Sequence, residues 1–171
     1  MRDLADAVQL ESASLYYHYP SKHDILFELF RRTMDDLSGG LREAIGNGGN
    51  AQQQLCAVVR FHVGFHISRQ DEAFVSHSEL RVLNLAQRAA IIEMRDRYQE
   101  LVCALLRDGV AQGLFDVSDV RMTATAILMM CSGVSDWFGA HGRLSGEQIA
   151  DRYVDLVLRM VVAPQQCGTT P

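Results

Sequence analysis

Little in this sequence points to a covalent framework, a membrane or a catalytic centre. Its four cysteines, Cys56, Cys103, Cys131 and Cys167, show no C-x-x-C spacing. Three of them stand in apolar helical patterns, so they read as reduced thiols in a core, and neither a disulfide nor a metal framework is expected. No N-terminal signal pattern is present, and the longest apolar run, Met122 to Val134, is too short for a bilayer and carries Thr and Ser. The cytoplasm is therefore the default location, with no membrane partner. Nucleophile elbows, phosphate-binding glycine loops, dinucleotide fingerprints and H-E-x-x-H zinc motifs are all missing. Asp119 and Glu147 read better as helix-start residues than as an acid–base pair. An enzyme is not expected, nor a cofactor.

Positive charge is also scarce. The net charge is −5, and residues 1–40 set four cations (Arg2, Lys22, Arg31, Arg32) against seven carboxylates (Asp3, Asp6, Glu11, Asp24, Glu28, Asp35, Asp36). That balance excludes a protein that coats nucleic acid by bulk charge, although a groove reader can still work with a few well-placed cations.

What the chain does have is helical periodicity. Its 171 residues, 48% of them hydrophobic and 22% charged, suffice for one sizeable core, or for a small domain fused to a larger one. Ser21 to about Ile45 carries Ile25, Leu26, Leu29, Phe30, Met34 and Leu37 on one stripe, weakened at Gly39-Gly40 and ended by the loop Gly46-Asn47-Gly48-Gly49-Asn50. Further helices are expected over Ala51–Ser68, Asp71 to about Leu80, Ala86–Gln112, from Asp119 to about Phe138, and from Ser145 to about Val162. Gly113 suits a C′ position, and Ser145 with Gln148 suits a capping box. With no internal repeat and no alternating strand pattern, the chain reads as all-α.

The most informative stretch is Leu15-Tyr16-Tyr17-His18-Tyr19-Pro20-Ser21-Lys22. Pro20 stops one helix and Ser21 caps the next. Upstream, Leu4, Ala5, Val8 and Leu15 are spaced to bury one face across two short helices, the layout of a helix-turn-helix reader. Together, Arg2-Asp3-Leu4-Ala5-Asp6-Ala7-Val8 and the string from Ser14 to Lys22 resemble the DNA-binding signature of the TetR family of transcriptional regulators.

The resemblance implies an N-terminal helix-turn-helix, and a larger helical domain that binds a ligand and dimerises. It places Ser12, Ala13 and Ser14 at base edges, and Tyr16, Tyr17, His18 and Lys22 at phosphates or sugars of double-stranded operator DNA. In the family another helix precedes the segment that opens here at Met1, so the reader is expected to be incomplete. Gln9 stands where the family often has Gly. The implied division is residues 1–40 for the reader and connecting helix, 41–163 for the larger domain and 164–171 as a disordered tail. Ser78-Glu79-Leu80-Arg81, the helix from Ala86 and Gly113-Leu114-Phe115 look similar to family regulators of lipid and steroid breakdown, whose effectors are often acyl-CoA thioesters. The expected function is thus a homodimeric regulator, of repressor type, released by a small apolar effector. The alternative is a dimeric small-molecule-binding module without DNA-binding activity.

Two constellations support this expectation. Phe61, His62, Phe65, His66, Met94, Tyr98, Met129, Met130 and Trp137 offer adaptable apolar surface with a few polar anchors, as a ligand pocket needs. His62 and His66 have i, i+4 metal spacing, but their apolar surroundings favour a pocket over a metal site. The last two helices carry Ile127, Cys131 and Val134, then Ile149, Tyr153, Leu156, Val157 and Met160. A helix apolar nearly all round must be covered on both sides, and the resemblance assigns the second side to a dimer interface.

Overall fold

The computed structural model describes residues 19, 21–139 and 142–162. The recognition residues Ser12, Ala13, Ser14, Tyr16, Tyr17 and His18 lie outside the described residues, as does the chain from residue 163 onward. Every regular element among the described residues is helical: α1 (Lys22–Gly46), α2 (Ala51–Ser68), α3 (Gln70–Ser78), a 3-10 turn (Leu80–Val82), α4 (Leu85–Ala111), α5 (Val120–Ser132), α6 (Val134–Trp137) and α7 (Gly146–Val161). The all-α expectation holds, and none of these helices is long and apolar enough to cross a membrane.

Local chemistry sets most helix starts. The Ser21 hydroxyl accepts from the Asp24 backbone N–H at 3.2 Å, and Asp119 accepts from Met122 N–H at 2.9 Å. Asn50, Asn84 and Ser145 each form a reciprocal capping box with a Gln three residues on. At the end of α4, Gly113 takes a φ of +69°, a left-handed conformation costly for a residue with a Cβ. This lets Leu114 N–H reach back to Gly109 O at 2.9 Å.

Two expectations change. The helix expected from Asp71 to Leu80 stops at Ser78 and gives way to the 3-10 turn. The helix expected to run to Phe138 breaks at Gly133. There the Ser135 hydroxyl donates to Ser132 O at 3.0 Å, while the Gln70 side-chain amide, from α3, donates to Ser135 O and Phe138 O at 2.9 Å each. Carbonyls served by side chains leave no need for a continuous ladder.

By contrast, α1 runs unbroken through Gly39-Gly40 and across residues 40 and 41. Gly40 is where the Phe61 ring of α2 lies directly on the backbone of α1; a Cβ there would collide with the ring.

Helix α2 is the hub, packing against α1, α4, α5, α6 and α7. Around it forms the main core, which includes Leu41, Leu55, Val58, Val63, Val102, Leu106, Ile127, Val134 and Val157, all essentially sealed from solvent. Side chains of this kind contribute about 1.5–3 kcal/mol each when fully buried. A second, smaller core of Phe30, Leu83 and Ile91, flanked by Leu26, Phe27, Val75, Leu80 and Met94, ties the first half of α1 to α3, the 3-10 turn and α4. A cavity lies where the two cores meet.

Candidate ligand cavity

The cavity has a volume of about 430 Å³, within the range of small-molecule sites. Helix α1 contributes Phe30, Thr33, Met34 and Leu37; α2 contributes His62, Phe65 and His66. The remaining wall comes from Ala73 and Ser76 of α3, Ile91, Arg95, Tyr98 and Gln99 of α4, and the α5–α6 stretch from Thr125 to Asp136. Phe30 and Ile91 belong to the small core, and Met34, Leu37 and Tyr98 to the main one. Met129 and Asp136 are exposed and form the mouth.

One wall holds a hydrogen-bonded chain. His62 Nδ1 lies 2.7 Å from the Tyr98 hydroxyl, His62 Nε2 lies 2.9 Å from Ser132 Oγ, and Ser132 Oγ lies 3.3 Å from His66 Nε2. Burial pushes the Tyr98 phenol well above its usual range, so it is a neutral donor. Burial, with His66 close by, holds His62 well below the usual imidazole range, so it is uncharged at neutral pH. A neutral imidazole donates from one nitrogen and accepts at the other, so a Tyr98 O–H that donates to His62 Nδ1 makes His62 Nε2–H the donor to Ser132 Oγ. The chain links α2, α4 and α5, with Tyr98 and His62 both uncharged.

The rim beside α1 is charged but balanced. Arg69 pairs with Asp36 and Glu72 and stacks 4.7 Å over the Phe65 ring. Thr33 donates to Leu29 O at 2.9 Å and approaches Glu72 at 3.3 Å.

Arg95 differs. Its guanidinium donates to Ser76 O at 2.9 Å, and no Asp or Glu pairs with it among the described residues. Burial lowers its pKa, with no carboxylate acting against that shift. Next to it, Ser76 Oγ is buried and finds no hydrogen-bond partner among the described residues.

Of the residues expected to form a pocket, the structure brings His62, Phe65, His66, Tyr98 and Met129 together around this cavity. Phe61, one residue out of phase, turns to Gly40. Met94 packs between the two cores, Met130 packs on the main core, and Trp137 is largely exposed, so these four do not line the cavity. Arg95, Ser76, Ser132 and Gln99 were not foreseen. The signal available for Arg95 was its position three residues before Tyr98 on the same helix. No cluster of three or more potential metal ligands exists among the described residues.

The residues expected at a dimer interface divide. Ile127, Cys131, Val134, Ile149 and Val157 are buried in the chain's own core. Burial there pushes the Cys131 thiol up to about 12. Tyr153 is half-buried, and Leu156 and Met160 face outward. Lys22, the one recognition residue within the described chain, is the exposed first residue of α1.

The described residues thus form an all-helical fold whose cavity is walled partly by the long helix α1. Residues 48–161 match the family described as tetracyclin repressor-like, C-terminal domain; the chain belongs to that family, the TetR-type transcriptional regulators. It is 27% identical to the HTH-type transcriptional repressor KstR2 of Rhodococcus jostii over 167 residues, covering 96% of this chain and 81% of that protein. Among solved structures it is similar to the TetR family transcriptional regulator PfmR of Thermus thermophilus, at 30% identity and a TM-score of 0.85, covering 92% of this chain and 86% of that one. It is also similar to AibR in complex with isovaleryl coenzyme A and operator DNA, at 26% identity and a TM-score of 0.82, covering 90% and 84%.

Proposed function

We propose that this chain is a ligand-responsive repressor that binds operator DNA as a homodimer and releases it when a small, largely apolar effector, such as an acyl-CoA thioester, enters the cavity. One observation carries the reading: α1 starts at Lys22, directly after the recognition stretch, and supplies a wall of the cavity through Phe30, Thr33, Met34 and Leu37. An effector that displaces these side chains tilts α1 and changes the separation of two DNA readers. AibR, whose structure holds both an acyl coenzyme A and operator DNA, supports this class of effector. The dimer in this reading uses the outward faces of α5 and α7, where Met122, Leu156 and Met160 remain exposed.

The test is a salt-dependent titration of the chain against its own upstream promoter fragment and a scrambled control. Promoter-selective binding that weakens with salt and is lost in Tyr16→Ala or Lys22→Ala supports the reading. Equal, feeble binding to both fragments overturns it and leaves a small-molecule-binding module.

A further inference from the structure

The polar groups facing the cavity fall into sets that are already satisfied and one that is not. His62 has both ring nitrogens engaged, by Tyr98 and Ser132, and Arg69 is neutralised by Asp36 and Glu72. Gln99 donates to Thr125 Oγ1 at 2.7 Å. Arg95 has only a backbone carbonyl. Among the described residues, three arginines are withdrawn from full exposure: Arg31, Arg69 and Arg95. The first two have carboxylate partners; Arg95 has none. A guanidinium carries five N–H donors and does not shed its proton, so its charge needs a counter-ion or water. Asp136 lines the same cavity, but it sits exposed at the mouth and takes no part in Arg95's ionisation.

We propose that Arg95 and Ser76 form an anion-recognition corner inside the cavity. The effector is then an amphipathic molecule with an anionic oxygen group on this corner and an apolar body against Met34, Leu37, Phe65 and Met129. The inference rests on the cavity being the effector site and adds what its ligand must carry. The guanidinium offers a planar pair of donors to the anion, and the Ser76 hydroxyl adds a third from the opposite helix. Both a free carboxylate and a phosphate of a coenzyme A thioester have this chemistry.

The test is calorimetric titration of the full chain, as wild type, Arg95→Gln and Arg95→Lys, with decanoate, methyl decanoate and decanoyl-coenzyme A. Wild type is expected to bind at least one anionic ligand roughly tenfold to a hundredfold more tightly than methyl decanoate, the worth of a charge-assisted hydrogen bond. Arg95→Gln erases that preference by weakening the anionic ligands far more than methyl decanoate, and Arg95→Lys keeps part of it. Loss confined to decanoate identifies a carboxylate as the bound group; loss confined to decanoyl-coenzyme A identifies a phosphate. An anion preference that survives Arg95→Gln overturns the proposal, as does its absence in wild type, while methyl decanoate binding leaves the cavity reading standing. Failure of all three ligands to bind overturns both.

Discussion

The two polar regions of the cavity wall differ in what they still need. Around His62 the chain is closed: both ring nitrogens are engaged by protein side chains, and this buried imidazole stays neutral. The Arg95–Ser76 corner is open, with a fixed charge and a hydroxyl that has no partner among the described residues, brought together by α3 and α4. Polar groups that satisfy one another rigidify a fold, whereas an unsatisfied charge in a concave site points to something from outside. The difference separates the residues that build the cavity from those that read its contents.

Breaking the closed chain should therefore cost stability, and breaking the open corner should cost recognition. His62→Ala removes two hydrogen bonds and leaves a void, with an expected loss of about 3 kcal/mol in denaturant unfolding. Tyr98→Phe strips only the hydroxyl that serves His62 Nδ1 and should cost about 2 kcal/mol; a loss within about 0.5 kcal/mol for either variant would remove the distinction drawn here.

The same chain predicts a pH dependence. The native pKa of His62 lies well below its unfolded value of 6.5, so below that pH the unfolded chain takes up a proton that the native state refuses. Stability is complete above pH 6.5 and falls below it by up to about 1.4 kcal/mol per unit for this one group. Melting curves between pH 7 and 5 should show the slope in wild type and a shallower one in His62→Ala. Glu28 titrates in a separate window: its pairing with Arg31 and Arg32 holds it at about 2, below the usual 4.5, so its contribution is lost only as the pH falls through that lower range. The smallest effect on stability belongs to Arg95→Gln, expected to shift unfolding by no more than about 0.5 kcal/mol. A large loss there would make Arg95 a structural residue.

Much of the scaffold was legible in the sequence because its signals are local. Ser21, Asp119 and Ser145 cap the helices they precede, and Gly113 turns the end of α4, each within a few residues. The break at Gly133 was not legible, since it depends on Gln70 arriving from a distant helix. The cavity was half-legible. His62, Phe65 and Tyr98 line it, but the helical phase that separates Met129 from Met130, or Phe61 from His62, is set by neighbours such as Gly40. Arg95 stayed hidden because an arginine on a long amphipathic helix ordinarily faces solvent. The apolar stripes of α5 and α7 were visible, but not which side the core would claim: it took Ile127, Cys131 and Val157 and left Leu156 and Met160 outside.

Control of DNA binding by the cavity is what would separate a regulator from a small-molecule-binding module. The fluorescence anisotropy of the labelled promoter fragment, bound by the full chain at fixed salt, is followed as decanoate or decanoyl-coenzyme A is added. Linkage requires that a ligand which releases DNA binds more weakly to the DNA-bound state than to the free one. Dissociation is expected to follow cavity occupancy if the cavity controls DNA binding, with its midpoint moved to higher ligand concentration in Arg95→Gln. A complex that persists while calorimetry shows the cavity filled would contradict it.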